Sequence, residues 1–177
     1  MFERLKSLLT IPDNAINTGD TMQWIETEKK LGIKLPNDYK EFIDTYGTGI
    51  IANFLIVFSP FSTNENMNLF SQLNMYRDSY LILKESYPKD FTYEIFPNER
   101  GLLPWGMSEN GDVLSWTVSQ NSQDWKIIID GRSGDFFEYN GLITKFLYSI
   151  LTKNLVSPVF PEDFPDNELK STFKVLS

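Results

Sequence analysis

Carboxylates are the side chains whose number and spacing most suggest chemistry in this chain. Glu109 and Asp112 flank one turn and Glu138 falls on a later extended stretch, so a pair of them could converge as general acid and general base. The chain contains no histidine and no cysteine. Imidazole bases, Ser-His-Asp and Cys-His arrangements, histidine-ligated zinc, thiolate metal sites and disulfides are therefore excluded. The run Asp130-Gly131-Arg132-Ser133-Gly134-Asp135 has some of the look of a calcium loop. Arg132 and Gly134 stand where oxygen ligands are needed and no closing glutamate follows, so it reads as a hairpin loop. Gly101, Gly106 and Gly111 are too widely spaced for a phosphate cradle. The carboxylates alone make a thin catalytic apparatus, and the expectation is a protein that is not an enzyme and uses no cofactor or metal.

Binding is the better use of the same residues. Between Trp105 and Asn140 the acids Glu109, Asp112, Asp124, Asp130, Asp135 and Glu138 face only Lys126 and Arg132, a local net charge of −4 out of −8 for the whole chain. Trp105, Trp125 and Tyr139 lie in the same stretch. Aromatic anchors within an acidic rim suit a basic protein partner, so Trp105, Glu109, Asp112, Asp124, Trp125, Asp130, Asp135 and Glu138 are the candidate contact residues. The competing reading puts the tryptophans in the core and leaves the acids to solubilise turns. A second candidate is the stripe Leu69, Leu73, Tyr76 and Tyr80, whose tyrosines could line a small-molecule pocket or pack in a core. Glu26, Lys29, Lys30, Asp38 and Glu41 give a third, weaker face of mixed charge.

With 24 acidic and 16 basic residues the chain repels phosphate backbones, which argues against direct nucleic-acid binding. Glu3, Arg4 and Lys6 interrupt the amino-terminal segment, and the run from Phe54 to Phe58 is too short to span a bilayer. Neither a signal peptide nor a membrane span is expected, and the location implied is the cytoplasm. Hydrophobic residues at 41% and aromatics at 15% of 177 residues are enough for one packed domain.

The positioning elements can be read in order. Phe2, Leu5, Leu8 and Leu9 predict a short amphipathic helix ending before Pro12. Asp20 or Thr21 with Gln23 predicts an N-cap for a helix through Trp24, Ile25, Glu28 and Leu31 that stops at Gly32. Pro36 and Asn37 predict the start of a second helix, with Asn37 as its cap, carrying Tyr39, Phe42, Ile43 and Tyr46 to Gly47. Residues 50–60, IIANFLIVFSP, read as one central strand. Asn64 to Leu83 reads as a longer helix capped by Thr63 or Asn64. Pro104 predicts a strand edge or bend, Asn110-Gly111 a turn, and residues 112–139 three strands in an antiparallel meander. A last helix carries Leu142, Phe146, Leu147, Ile150, Leu151 and Leu155.

The sequence E-x-x-L-G followed by L-P-x-x-Y-x-x-F and a glycine-closed turn, here Glu28, Leu31, Gly32, Leu35, Pro36, Tyr39, Phe42, Tyr46 and Gly47, resembles the SUKH superfamily. That group includes bacterial immunity proteins and relatives of the fungal cell-wall assembly regulator. Leu103-Pro104-Trp105-Gly106, Asn110-Gly111-Asp112 and Phe146-Leu147 follow in the order the family uses, so the resemblance covers roughly residues 20 to 155. The element order, without strand-helix alternation, predicts an α+β fold, mostly antiparallel, with a carboxy-terminal three-strand meander packed by helices from both ends of the chain, and the resemblance implies the same class. The resemblance also implies an immunity protein that sterically occludes a cognate polymorphic toxin, often a nuclease or deaminase, in competition between bacteria. The fungal branch implies a regulatory or scaffolding module instead. One domain over residues 1–155 and an extended acidic arm over 156–177 complete the expectation.

Overall fold

The computed structural model describes residues 1–132 and 134–176. Five helices, α1 (Phe2–Leu8), α2 (Thr21–Leu31), α3 (Asn37–Tyr46), α4 (Leu69–Ser86) and α5 (Ile143–Leu151), surround one seven-stranded antiparallel sheet. Its strands are β1 (Gly49–Ile51), β2 (Leu55–Val57), β3 (Leu102–Ser108), β4 (Val113–Thr117), β5 (Lys126–Asp130), β6 (Phe136–Asn140) and β7 (Phe173–Val175), in the spatial order β6-β5-β4-β3-β2-β1-β7. The protein is α+β. The expected β4-β5-β6 meander is present, but it belongs to a longer run of sequential neighbours, and the carboxy-terminal strand lies at the opposite edge.

The helical entry follows local chemistry closely. Asp20 and Gln23 form a reciprocal capping box at the start of α2, and Gly32 closes it with φ of 75°. Between α2 and α3 the Glu28 carboxylate, nearly buried, accepts from the Leu35 backbone N–H (3.2 Å), Lys34 Nζ (2.6 Å) and Lys40 Nζ (3.0 Å). Burial pulls its pKa upward, but these three donors outweigh it and hold the carboxyl below its ordinary value. Asn37 does not cap α3, because Pro36 occupies the N-cap position and no side chain bonds there. Asp38, expected on an exposed face, is buried and its Oδ2 accepts from the backbone N–H (3.0 Å) and hydroxyl (3.2 Å) of Thr144, capping α5 from across the core. Gly47 takes φ of 68°, and a Cβ there would lie 1.9 Å from the Ile16 carbonyl oxygen.

Further sequence expectations change in the sheet and in α4. Residues 50–57 form two short strands, not one, because Ala52 and Asn53 both take positive φ (52° and 50°) and Phe54 N–H bonds back to Ile51 (2.9 Å), leaving a three-residue loop between paired Ile51 and Leu55. The α4 helix starts at Leu69 and not near Asn64, since the Asn68 side chain accepts from Phe70 and Ser71 N–H. Pro104 sits in a strand with neighbours on both sides; its missing N–H is absorbed by a bulge, where the register steps from Pro104↔Ser115 to Gly106↔Leu114. The carboxy-terminal stretch returns over the domain: β7 pairs with β1, and Phe173 packs on Tyr46 and Phe42.

The two faces of the sheet differ. One carries the main core, with Leu103, Leu114, Trp116, Ile127 and Ile129 against α1, α2, α3 and α5. The other carries a smaller cluster, Tyr80, Ile95, Leu102 and Ile128, beneath α4 and the segment that follows it. Replacing Glu28 with alanine should lower the unfolding free energy by about 2 kcal/mol, because the buried Leu35 N–H loses its acceptor. Lys34→Ala, whose side chain is 78% exposed, should change it by less than about 1 kcal/mol. Urea titration of both variants checks the contrast, and equal losses would contradict it.

Candidate functional site

The structure divides the candidate contact residues by burial. Trp105 has no exposed surface; it packs against Trp116 and Phe146 in the main core, and its indole nitrogen has no hydrogen-bond partner among the described residues. Trp125 is also buried, donating its indole N–H to the Ser119 carbonyl (2.8 Å). Both point into the protein, Trp105 from β3 and Trp125 from the position just before β5. Tyr139 is partly buried on Phe146. Asp112 is buried as well: Ser108 Oγ donates to its Oδ2 (2.5 Å) and the Arg132 backbone N–H to its Oδ1 (3.1 Å). Asp112 thereby ties the β3–β4 turn to the β5–β6 turn. Glu109, Asp124, Asp135 and Glu138 remain exposed.

These exposed acids do not form one patch. Antiparallel pairing of Val113 with Asp130 puts the β3–β4 and β5–β6 turns at one end of the sheet, with Glu109, Asp112, Asp130 and Asp135. Asp124 follows β4 at the other end, a strand of five residues and roughly 15 Å away. There Asp124 and Glu138 line a groove of about 770 Å³ with Glu94, Glu99, Arg100 and Lys126. Lys126 pairs with Glu138 at 2.7 Å and Lys84 with Glu94 at 2.5 Å, so part of that charge is neutralised.

At the turn end a contact appears that the sequence did not connect. The Tyr76 hydroxyl of α4 donates to Oδ2 of Asp130 at 2.6 Å. Tyr80, beside it with ring centroids 5.5 Å apart, accepts from the Tyr93 backbone N–H (3.1 Å). These residues line a cavity of about 210 Å³ with Leu83, Phe91 and Arg132. Asp130 is only 9% exposed. Burial pushes its carboxyl up to about 6; the neighbouring Asp112 charge adds to the rise and the Tyr76 bond opposes it. Burial also raises the Tyr76 phenol, reinforced by Asp130, so Tyr76 stays a donor at neutral pH. Among the described residues no group of three or more histidine, cysteine or acidic side chains could hold a metal ion. The arrangement suits holding a positive charge against a carboxylate between aromatic walls.

The sheet has one face sealed by the main core and the other covered by α4, with carboxylates at both ends. Residues 21–147, from the first residue of α2 into α5, match the SUKH_6 family model, described as SMI1-KNR4 cell-wall. The chain therefore belongs to the SUKH superfamily. Comparison with curated proteins and with solved structures yields no match. No helix among the described residues is long and apolar enough to cross a membrane.

The raised Asp130 carboxyl has a consequence for stability. Its folded value lies above the ordinary one, so the native state holds the proton longer than the unfolded chain does. The ionised form is the unfavourable one, and stability falls as pH rises from about 4 through 6, by up to about 3 kcal/mol. Asp130→Asn keeps an acceptor for Tyr76 without the charge. Its unfolding free energy relative to the native protein should therefore shift in its favour between pH 4 and pH 7, measured by denaturant titration at both; a constant difference would contradict the assignment.

Proposed function

We propose that the protein is an immunity protein that binds a cognate polymorphic toxin domain and neutralises it sterically, without catalysis of its own. Family membership over residues 21–147 is the observation that carries this reading. The net charge of −8 and the exposed Glu109, Asp124, Asp135 and Glu138 support a basic partner. A nuclease or deaminase toxin presents cationic side chains where it holds nucleic acid, and an acidic protein competes for them while having little affinity for the phosphate backbone itself. Such an antitoxin acts in the cytoplasm of the producing cell, in competition between bacteria. Trp105, Asp112 and Trp125 then support the face from below, and the exposed acids steer the encounter.

The cell-wall description of the matching family model favours a second reading, a regulatory or scaffolding module whose partner is an enzyme of the same cell. The two readings part on toxicity. Co-expression with a toxin domain encoded beside this chain should restore growth and yield a complex stable to gel filtration; toxicity unrelieved by co-expression would leave the module reading in its place. In that complex, Glu109→Lys, Asp124→Lys and Asp135→Lys together should slow association by tenfold or more at low salt and flatten its salt dependence. Stopped-flow association rates check this, and unchanged rates would move the interface away from these acids.

A further inference from the structure

One apolar stripe of α4 runs from the buried sheet face out to solvent. Tyr76, Tyr80, Leu83 and Tyr87 follow at i, i+4, i+7 and i+11 and form one stripe, and Met75 and Ile82 begin the next. Leu83, Tyr87 and Met75 are exposed, and Ile82 is 66% exposed. The inner end of the stripe closes over the Asp130 cavity. Asp130 is a buried carboxylate with no cationic side chain within ion-pair distance among the described residues. Arg132, at the mouth of the same cavity, pairs with neither Asp130 nor Asp112. A buried negative charge without a counter-charge, walled by two tyrosines and Phe91, favours a cation. Leu83 at the cavity rim and exposed Tyr87 on the same stripe would exclude water once a partner sits down, the arrangement in which one charged pair carries much of an interface.

We propose that the Tyr76–Tyr87 stripe of α4 and the Asp130 cavity are the docking face for a basic protein, with a lysine or arginine side chain of that protein entering the cavity and Leu83 and Tyr87 sealing the contact. The partner's identity rests on the toxin-binding reading; the socket itself does not. A second acid, Asp112, stands behind Asp130, and exposed Glu109 and Asp135 at the same end attract the entering cation.

Two measurements test this at pH 7.5. In the first, ¹H–¹⁵N spectra of the full chain are titrated with methylguanidinium chloride against sodium chloride. Saturable shifts are expected at Tyr76, Tyr80, Gly111 and Gly131, and they should vanish in Asp130→Asn. Absence of a saturable response there overturns the socket. In the second, affinity for the toxin domain is compared among the native chain, Asp130→Asn and Tyr87→Lys. The expected losses are about 100-fold and about 10-fold, chiefly through faster dissociation. Methylguanidinium binding with unchanged toxin affinity in both variants overturns the docking face while the immunity reading stands. Methylguanidinium binding with no toxin binding by the native chain supports the socket and overturns the immunity reading. Circular dichroism confirms that both variants keep the fold, and because Tyr87 is exposed at the outer end of the stripe, that variant tests the face independently of the buried site.

Discussion

The fold depends on how Tyr39 is buried. Its ring has no exposed surface, and its hydroxyl donates to the Phe58 carbonyl just beyond β2 at 2.6 Å. A buried hydroxyl without an acceptor is costly, so this one bond sets how deeply α3 sits against the sheet. The ring meets Trp24 of α2 edge-on at 6.0 Å and Trp116 of β4 at 5.0 Å. From Trp116 the ring contacts continue to Trp105, then to Phe146 of α5, then to Tyr139 of β6. One chain of aromatic contacts thus joins both ends of the family match, and the motif residues prove to be its supports. Glu28 fixes the α2–α3 link, Gly47 lets the chain pass the Ile16 carbonyl, and Gly106 lies where a Cβ would be 2.6 Å from the Ile56 carbonyl oxygen.

This concentration of aromatic packing on one face leaves the other free to be less well optimised. Beneath α4 the sheet buries Asp130 with one hydrogen bond, and beside it the Ser115 hydroxyl has no partner among those described. Unsatisfied polar groups and buried charge oppose folding, and they are tolerated where a binding site needs them. The main core supplies the stability against which that cost is set.

The legible parts of the sequence were those decided locally. The Asp20 capping box, the Gly32 stop and the alternation in β4 depend on residues within a few positions of one another. What was missed depends on partners distant in the chain. The apolar run through residues 50–57 conceals its hairpin because Ala52 is a poor marker for positive φ. Asp38 looks like a solvated helix residue until Thr144, 106 positions later, supplies its donors. Within the stretch expected as an extended acidic arm, β7 is only three residues long and pairs with β1 far earlier in the chain, as in Ile50↔Lys174, which no local pattern announces. The candidate site has the same history. Tyr76 and Asp130 were each visible, one as a stripe and one as a charge, but 54 positions separate them and only the sheet register brings them together.

The same geometry explains why counting charge along the chain misjudges the surface. A meander reverses direction at every strand, so acids that are neighbours in sequence alternate between opposite ends of the sheet. Asp124 lies between Asp112 and Asp130 in sequence, yet those two share an end and Asp124 does not. A separation of roughly 15 Å exceeds the screening length of about 8 Å at physiological salt, so the two ends attract a cation almost independently. Both can steer an approaching basic protein, but only the turn end couples that attraction to a cavity, a buried carboxylate and the apolar stripe of α4. In the groove at the far end, Lys126 and Arg100 already answer part of the charge. The ends differ in that the turn end holds a buried carboxylate, Asp130, outside ion-pair distance of any cationic side chain among the described residues.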